Sequence, residues 1–471
     1  MSDLDKLDFG LGAAQQERHL GNYFYRSGAF KLACSDKIYL VLGAKGAGKS
    51  AIFKMFGELE NEIPIFSSPN IWVSDEPLLL RDHYLTLQEA KIQSQVTLWR
   101  FYVASLIARR CLLEEDLPQD MRKNYERFLV RWGLVREVPT AWQSTRQLKF
   151  SIGIGEYLRT EFPLRTPLAA TEIDYVIYSA NDWLGKRKGD IWICLDSLDE
   201  ASINGGGHDD VEDLLSNLMR AVAELLRLNR IRFKLFFRRD IYHSLTYVNK
   251  DHFSAVKLEL QWSLEDLAIL LGHRLRPLHS ENSALKALQP PEQNSSLSFS
   301  TSKQWVDEVF EWCRDESPHG FEDLYEKFKD GNGVVLPRDA INFCIEAQRA
   351  QQNFNNQTVN LPSKGRLVSP RACVKALRLT AASKLTDFLQ VFQNFHDTFD
   401  QLKGSDSKYF TRQALSAALG KSDPTDASLV IADLVRVGAI GITDRRAVNQ
   451  SDSFEIPYLY ARALGIGGDH E

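Results

Sequence analysis

Hydrophobic and polar positions follow two regimes along this chain. Through residue 262, short apolar runs bounded by turn residues stand between longer stretches in which apolar residues return every three or four positions. The run "KIYLVLG", ending at Gly43, is apolar and rich in β-branched residues, the pattern of a strand buried on both faces. "PNIWVSD" (69–75), "DIWICLDSLDE" (190–200), "IRFKLFFRRD" (231–240) and "SAVKLEL" (254–260) read the same way. "SAIFKMFGELE", "SQVTLWRFYVASLIARRCLLEE", "MRKNYERFLVRWGLV" and "DLLSNLMRAVAELLRLN" carry the helical period, and "LKFSIGIG" reads as a strand within the helices of 76–188. Residues 11–34 also read as helical, with Leu20, Tyr23 and Phe24 near one another. Strands alternating with helices predict a parallel α/β sheet.

Beyond 262 the strand signal stops. "WSLEDLAILLGHRL" opens with a capping box, Ser263 and Asp266, and begins a helical region that runs to about 403, broken by a Pro/Ser-rich loop at 288–303. In the tail, "TRQALSAALG" and "ASLVIADLVRVGAI" read as helices and "GITDRRAVNQSDSFEIP" as a hairpin. Two helices and a hairpin describe a winged helix. The expected division is a core of 1–75 and 189–262, a mainly helical insertion at 76–188, a helical lid at 263–403 and a winged helix at 404–471.

Composition narrows the setting. Of 471 residues 44% are hydrophobic, enough for more than one core, and 57 Lys+Arg stand against 62 Asp+Glu, so no whole-chain basic field points to nucleic acid. The six cysteines (34, 111, 194, 313, 344, 373) lack CxxC or His pairing, which suits reduced thiols better than disulfides or zinc. The opening "MSDLDKLDFG" is acidic, unlike a signal peptide, and no uncharged apolar run approaches the ~18 residues a membrane span needs. The expectation is a cytoplasmic protein with no membrane partner.

The chemistry is concentrated in one motif. Gly43, Ala44, Lys45, Gly46, Ala47, Gly48, Lys49 and Ser50 fit G-x-x-x-x-G-K-[ST], with a predicted strand before and helix after. Glycines let the backbone wrap a phosphate, and the helix N-terminus aims N–H groups at it. Lys49 reaches the β- and γ-oxygens in such a loop, and the Ser50 hydroxyl ligates Mg²⁺. Asp196, at the end of "IWICLD", stands where the second metal ligand belongs. Additional-strand ATPases place the catalytic acid next, but that position here is Ser197. Asp199 and Glu200 follow; either serves as base or caps the next element, with Glu200 preferred.

Arg238 and Arg239 end the fourth strand, where a cation senses a γ-phosphate or reaches a neighbouring subunit's nucleotide; a solvated strand end is the alternative. Arg338, in "LPRDAI", is a candidate sensor on the lid, or a surface ion pair. Tyr23, Phe24 and Tyr25 lie where an adenine ring stacks, although core packing is the commoner fate. Neither a transporter-type signature nor a guanine-reading motif is present, which favours ATP over GTP.

"FGLGAAQQERHLGNYFYRSGAF", "LVLGAKGAGKSAIFK", "WICLDSLDE" and "LFFRRDI" occur in the order that resembles bacterial P-loop ATPases of the STAND and origin-recognition-like branch of AAA+ proteins. "LQWSLEDLAILLGHRL" and "LPRDAINFC" look like that family's lid, and "LVRVGAIGI…FEIPYLYARALGI" like its winged helix. The resemblance omits 76–188 and 280–303. It implies that Gly43–Ser50 hold the nucleotide, Asp196 the metal, and Arg238 or Arg239 the sensor role. It further implies a switch that assembles on ATP and controls an effector, often in defence against phage or mobile DNA.

The sequence therefore predicts an additional-strand (ASCE-type) parallel-sheet P-loop NTPase core with helical insertion, helical lid and C-terminal winged helix. Its expected function is an ATP- and Mg²⁺-dependent switch and slow ATPase, forming homo-oligomers and acting on a protein effector or answering a phage trigger. A rival reading is a DNA-binding ATPase, a loader or transposition regulator, using the winged helix. "DASLVIADLVRVG" offers only Arg436 against Asp426 and Asp433, and Arg445 and Arg446 in the wing compensate modestly. A third is a P-loop phosphotransferase.

Overall fold

The computed structural model describes residues 3–10, 12, 17, 19–75, 95–131, 170–198, 208–247, 250–278, 297–312, 319–421, 423–444 and 446–466. They form two compact bodies, one of residues 28–44 and 49–260, the other of 1–27, 45–48 and 261–471.

The first body is a five-stranded parallel sheet between helical layers. In chain order it contains α1 (Gly28–Ala33), β1 (Leu40–Gly43), α2 (Lys49–Glu58), β2 (Ile71–Asp75), α3 (Gln95–Cys111), α4 (Gln119–Arg131), α5 (Ala170–Arg187), β3 (Ile191–Leu195), α6 (His208–Leu225), β4 (Ile231–Arg238), α7 (Arg239–Ser244) and β5 (Lys257–Glu259). The strand order is β2-β3-β4-β1-β5. Strand β4 thus lies between the motif-bearing β1 and the acid-bearing β3, the insertion that defines the additional-strand class.

Alternation along the strands assigns the faces. Ile191, Ile193 and Leu195 share one core with Phe233, Leu235 and Phe237, covered by α3, α5 and α6. Every residue from Phe101 to Ala108 of α3 is buried, so this stretch of the helix is enclosed on all sides. The Trp99 indole donates to Leu214 O at 2.8 Å, tying α3 to α6. On the opposite face Phe236 packs against Phe53 and Phe56 of α2, and Phe30 of α1 meets Phe56. Lys234 is fully buried on this second face, donates to the Ser35 and Ile38 carbonyls and lies over Trp192.

The second body is helical. Its elements are α8 (Leu264–Leu275), α9 (Phe299–Val309), α10 (Phe321–Phe328), α11 (Pro337–Gln357), α12 (Pro370–Val391), α13 (His396–Leu402), β6 (Tyr409–Thr411), α14 (Arg412–Ala418), α15 (Pro424–Arg436), β7 (Gly441–Ile442), β8 (Ser453–Glu455) and α16 (Tyr458–Leu464). The Ser263 hydroxyl accepts from Asp266 N at 3.0 Å, so the predicted cap forms. Buried Lys384 of α12 and Asp339 of α11 pair at 2.6 Å. The order α13-β6-α14-α15-β7-β8 with an antiparallel sheet β6-β8-β7 is a winged helix, closed around Leu415, Ile431, Leu434 and Phe454. Strand β6 escaped the sequence pattern because three residues between Lys408 and Arg412 carry no period.

Within 11–34 the described helix is only α1, plus a short 3₁₀ turn at Leu20–Asn22. The segment is held instead by side chains. Tyr25 Oη donates to Asp266 at 3.1 Å, and the Arg274 guanidinium lies 4.3 Å from the Tyr23 ring centroid. Tertiary anchoring here overrides the local period. The strand expected at "LKFSIGIG" lies outside the described residues. Among the described residues no helix is long and apolar enough to cross a membrane.

Candidate phosphate-binding site

The P-loop stands at the carboxyl edge of the sheet, where open α/β sheets bind ligands. Strand β1 ends at Gly43 and α2 begins at Lys49. Gly46 and Gly48 have φ of +89° and +98°, a conformation in which a side chain is strained. The glycines of the motif are therefore spent on backbone shape. Lys49 is buried and its ammonium donates to Gly43 O at 3.0 Å and Ala44 O at 3.2 Å, inside its own loop. Ser50 follows in the first turn of α2.

Asp196 is 1% exposed and directly follows β3. Leu195 is level with Leu235, and Leu235 with Leu40, so Asp196 leaves the sheet at the same edge as the P-loop. Two strand spacings, about 10 Å, separate the β3 and β1 axes. Strand alternation puts Asp196 on the face of Trp192 and Cys194, the face that α2 covers. Ser197 then adopts φ +57°, which turns the chain out of the strand. Asp199 and Glu200 lie outside the described residues.

Arg238 is register-paired with Gly43, and alternation gives it the face of Phe236. Its Nε donates to Asp240 Oδ1 at 3.2 Å and its Nη2 to Asp240 Oδ2. Burial alone would raise the Asp240 pKa, but the Arg238 charge, with a contribution from Lys49, holds it below the usual carboxylate range. Lys49, Arg238 and Asp240 thus share one electrostatic neighbourhood. Arg239 opens α7, half-buried, and adds to the burial that depresses the His243 pKa. Sequence reading missed Asp240. Its one signal was an acid two residues beyond a strand-end arginine.

The loop tip, Lys45–Gly48, belongs with the second body. A β-carbon built on Gly46 would lie 3.1 Å from Arg338 Cβ. Arg338 Nη1 is 3.7 Å from Asp387 Oδ2, while its Nε is buried with no hydrogen-bond partner among the described residues. That orphaned donor beside a phosphate loop fits an anionic ligand. Ser50 and Asp196 offer the hard oxygens that Mg²⁺ takes alongside phosphate. Trp262, which the sequence did not single out, donates from Nε1 to Ala47 O at 2.9 Å. Tyr23 and Tyr25 are committed to Arg274 and Asp266 in this structure.

No family model and no curated protein matches the sequence. Among solved structures the chain is similar to Cdc6p from Pyrobaculum aerophilum, at 12% identity over 94% of this chain and 93% of that one, with a TM-score of 0.33. The ORC2 protein of Aeropyrum pernix in ADPNP–ADP complexes is 12% identical over 93% of each chain, with a TM-score of 0.38. The Aeropyrum pernix ORC1 protein in complex with DNA is 12% identical over 94% and 92%, with a TM-score of 0.26. These likenesses add no weight to the geometry above.

Proposed function

We propose that the chain is an ATP-binding molecular switch of the additional-strand class, in which the loop Gly43–Ser50 wraps the β- and γ-phosphates. One observation carries the reading. Lys49 is buried on its own loop carbonyls, at the sheet edge and on the face where Asp196 and Arg238 also emerge. Lys49 exchanges the Gly43 and Ala44 carbonyls for phosphate oxygens of higher charge density. Ser50 and Asp196 would hold Mg²⁺, whose role when bound is to neutralise phosphate charge. Arg238 and Arg239 would serve the γ-phosphate at the strand end, and Arg338 of α11 would steady the loop tip at Gly46. Glu200, with Asp199 as the alternative, would orient the attacking water in slow hydrolysis. Because Arg238 already has Asp240 as partner, a γ-phosphate competes for it, and that competition is the differential contact a switch requires.

The winged helix reads better as a protein-binding module than as a DNA reader. Asp423 caps α15, Asp426 and Asp433 are exposed on it, and Arg436 spends its charge on Asp433 at 3.1 Å. Such a face repels phosphates. Self-assembly and control of a protein effector, in defence against phage, complete the proposal; they are supported by the sequence resemblance to switch ATPases.

Calorimetric titration with ATP, in Mg²⁺ and in EDTA, tests the core of it. Micromolar binding that weakens in EDTA is expected, accompanied by an ATP-dependent change in particle size. Absence of binding in both buffers would refute it.

A further inference from the structure

We infer that Trp262 is a positioning residue that presets the phosphate loop from outside, by holding the Ala47 carbonyl so that the Gly48 N–H is presented to the anion. The inference rests on the nucleotide reading above.

A trans peptide bond points its C=O and its N–H in opposite directions. The Ala47 carbonyl accepts from the Trp262 indole at 2.9 Å. The Gly48 N–H on the same peptide plane is therefore turned away from the indole. Gly48, which closes that plane, and Gly46, the residue before Ala47, are both at positive φ, and such stretches gather successive N–H groups into an anion-binding concavity. Their freedom is also the loop's weakness, since glycine-rich backbone loses much entropy when ordered. A fixed external donor removes part of that cost before the ligand arrives.

The indole is itself held. The Trp262 carbonyl accepts from Tyr325 Oη of α10 at 3.0 Å, and Trp262 packs at the edge of the helical core. Ser263, the next residue, caps α8, so the backbone beside the ring is fixed too. A β-carbon built on Gly48 would sit 3.7 Å from Trp262 Cζ2, so the ring also covers the loop. An indole N–H can only donate, which makes the polarity of the contact unambiguous.

The test is the affinity of full-length protein for MgATP, MgADP and Mg-tripolyphosphate, measured by calorimetry on wild type, Trp262→Phe and Tyr325→Phe. Trp262→Phe keeps the ring and deletes the donor. The expected result is a loss of roughly 3- to 10-fold for all three ligands, the size of one hydrogen bond, with an unchanged melting temperature. Tyr325→Phe should give a smaller loss of the same pattern, and serves if the tryptophan variant folds poorly. Unchanged affinities would overturn the inference. So would a loss for the two nucleotides that spares tripolyphosphate, which would make Trp262 a base contact. Failure of wild type to bind any of the three would remove the nucleotide reading itself, and this inference with it.

Discussion

The carboxyl edge of the parallel sheet and the exposed face of α15 both gather charge, yet they organise it in opposite ways. At the sheet edge Lys49, Asp196 and Arg238 are nearly all buried, and Lys49 and Arg238 are held by hydrogen bonds within a few residues. On α15 the charges are exposed, predominantly acidic, and partly cancelled by the Arg436–Asp433 pair. Burying ionised groups is costly, so a buried cluster persists only where partners or a ligand compensate it. Exposed helix charges cost almost nothing and specify only what the surface attracts or repels. On the proposed reading, the first arrangement serves a bound ligand and the second selects a partner.

The strongest challenge to this contrast is Lys49→Ala. It removes the ammonium held on the loop's own carbonyls, and MgATP affinity should fall by about 100-fold or more in calorimetry. Retained affinity would place the phosphate elsewhere. Arg238→Ala should come next, because it leaves Asp240 half-enclosed without its guanidinium. Unfolding free energy in urea should drop by roughly 3 kcal/mol. The pH dependence sharpens it. A carboxylate with a depressed folded pKa contributes stability above its ordinary pKa and loses it as pH falls through the lower folded value. That acid-side loss should be visible in wild type and absent in Arg238→Ala. Asp196→Asn should cost about tenfold in ATP affinity in Mg²⁺ and little in EDTA, separating a metal ligand from a structural buried acid. The smallest effect concerns α15. Wild type should show no salt-steep binding to duplex DNA, and Asp426→Lys with Asp433→Lys should gain weak binding by a few-fold in a gel shift. Tight wild-type binding would overturn the protein-partner reading.

Much of the site was legible because its chemistry is local. Gly43 to Ser50 are contiguous, and the strand–loop–helix context they need is written in the adjacent apolar runs. Asp196 was legible as the polar end of a buried strand, and Arg238 likewise. Asp240 and Trp262 were not. Asp240 acquires meaning only from its Arg238 partner, and Trp262 lies 215 residues from the carbonyl it holds. No periodicity encodes such a contact. Over the described residues 19–34 the expected helix is reduced to α1 and a 3₁₀ turn for the same reason, and most of 11–18 lies outside the described residues. Phe9, Leu20 and Tyr23 are buried, but as individual anchors rather than as a helical stripe.

By itself, the sequence determined most classes of element, the glycine-rich loop motif and the acid that ends a buried strand, because each depends on residues within about ten positions of one another. Only tertiary structure decided which face α3 and α5 cover, that Arg238 is already paired, and that the loop's carbonyl is clamped by an indole. Those facts depend on burial and on contacts between distant segments, whose free energy exists only once the chain has closed upon itself.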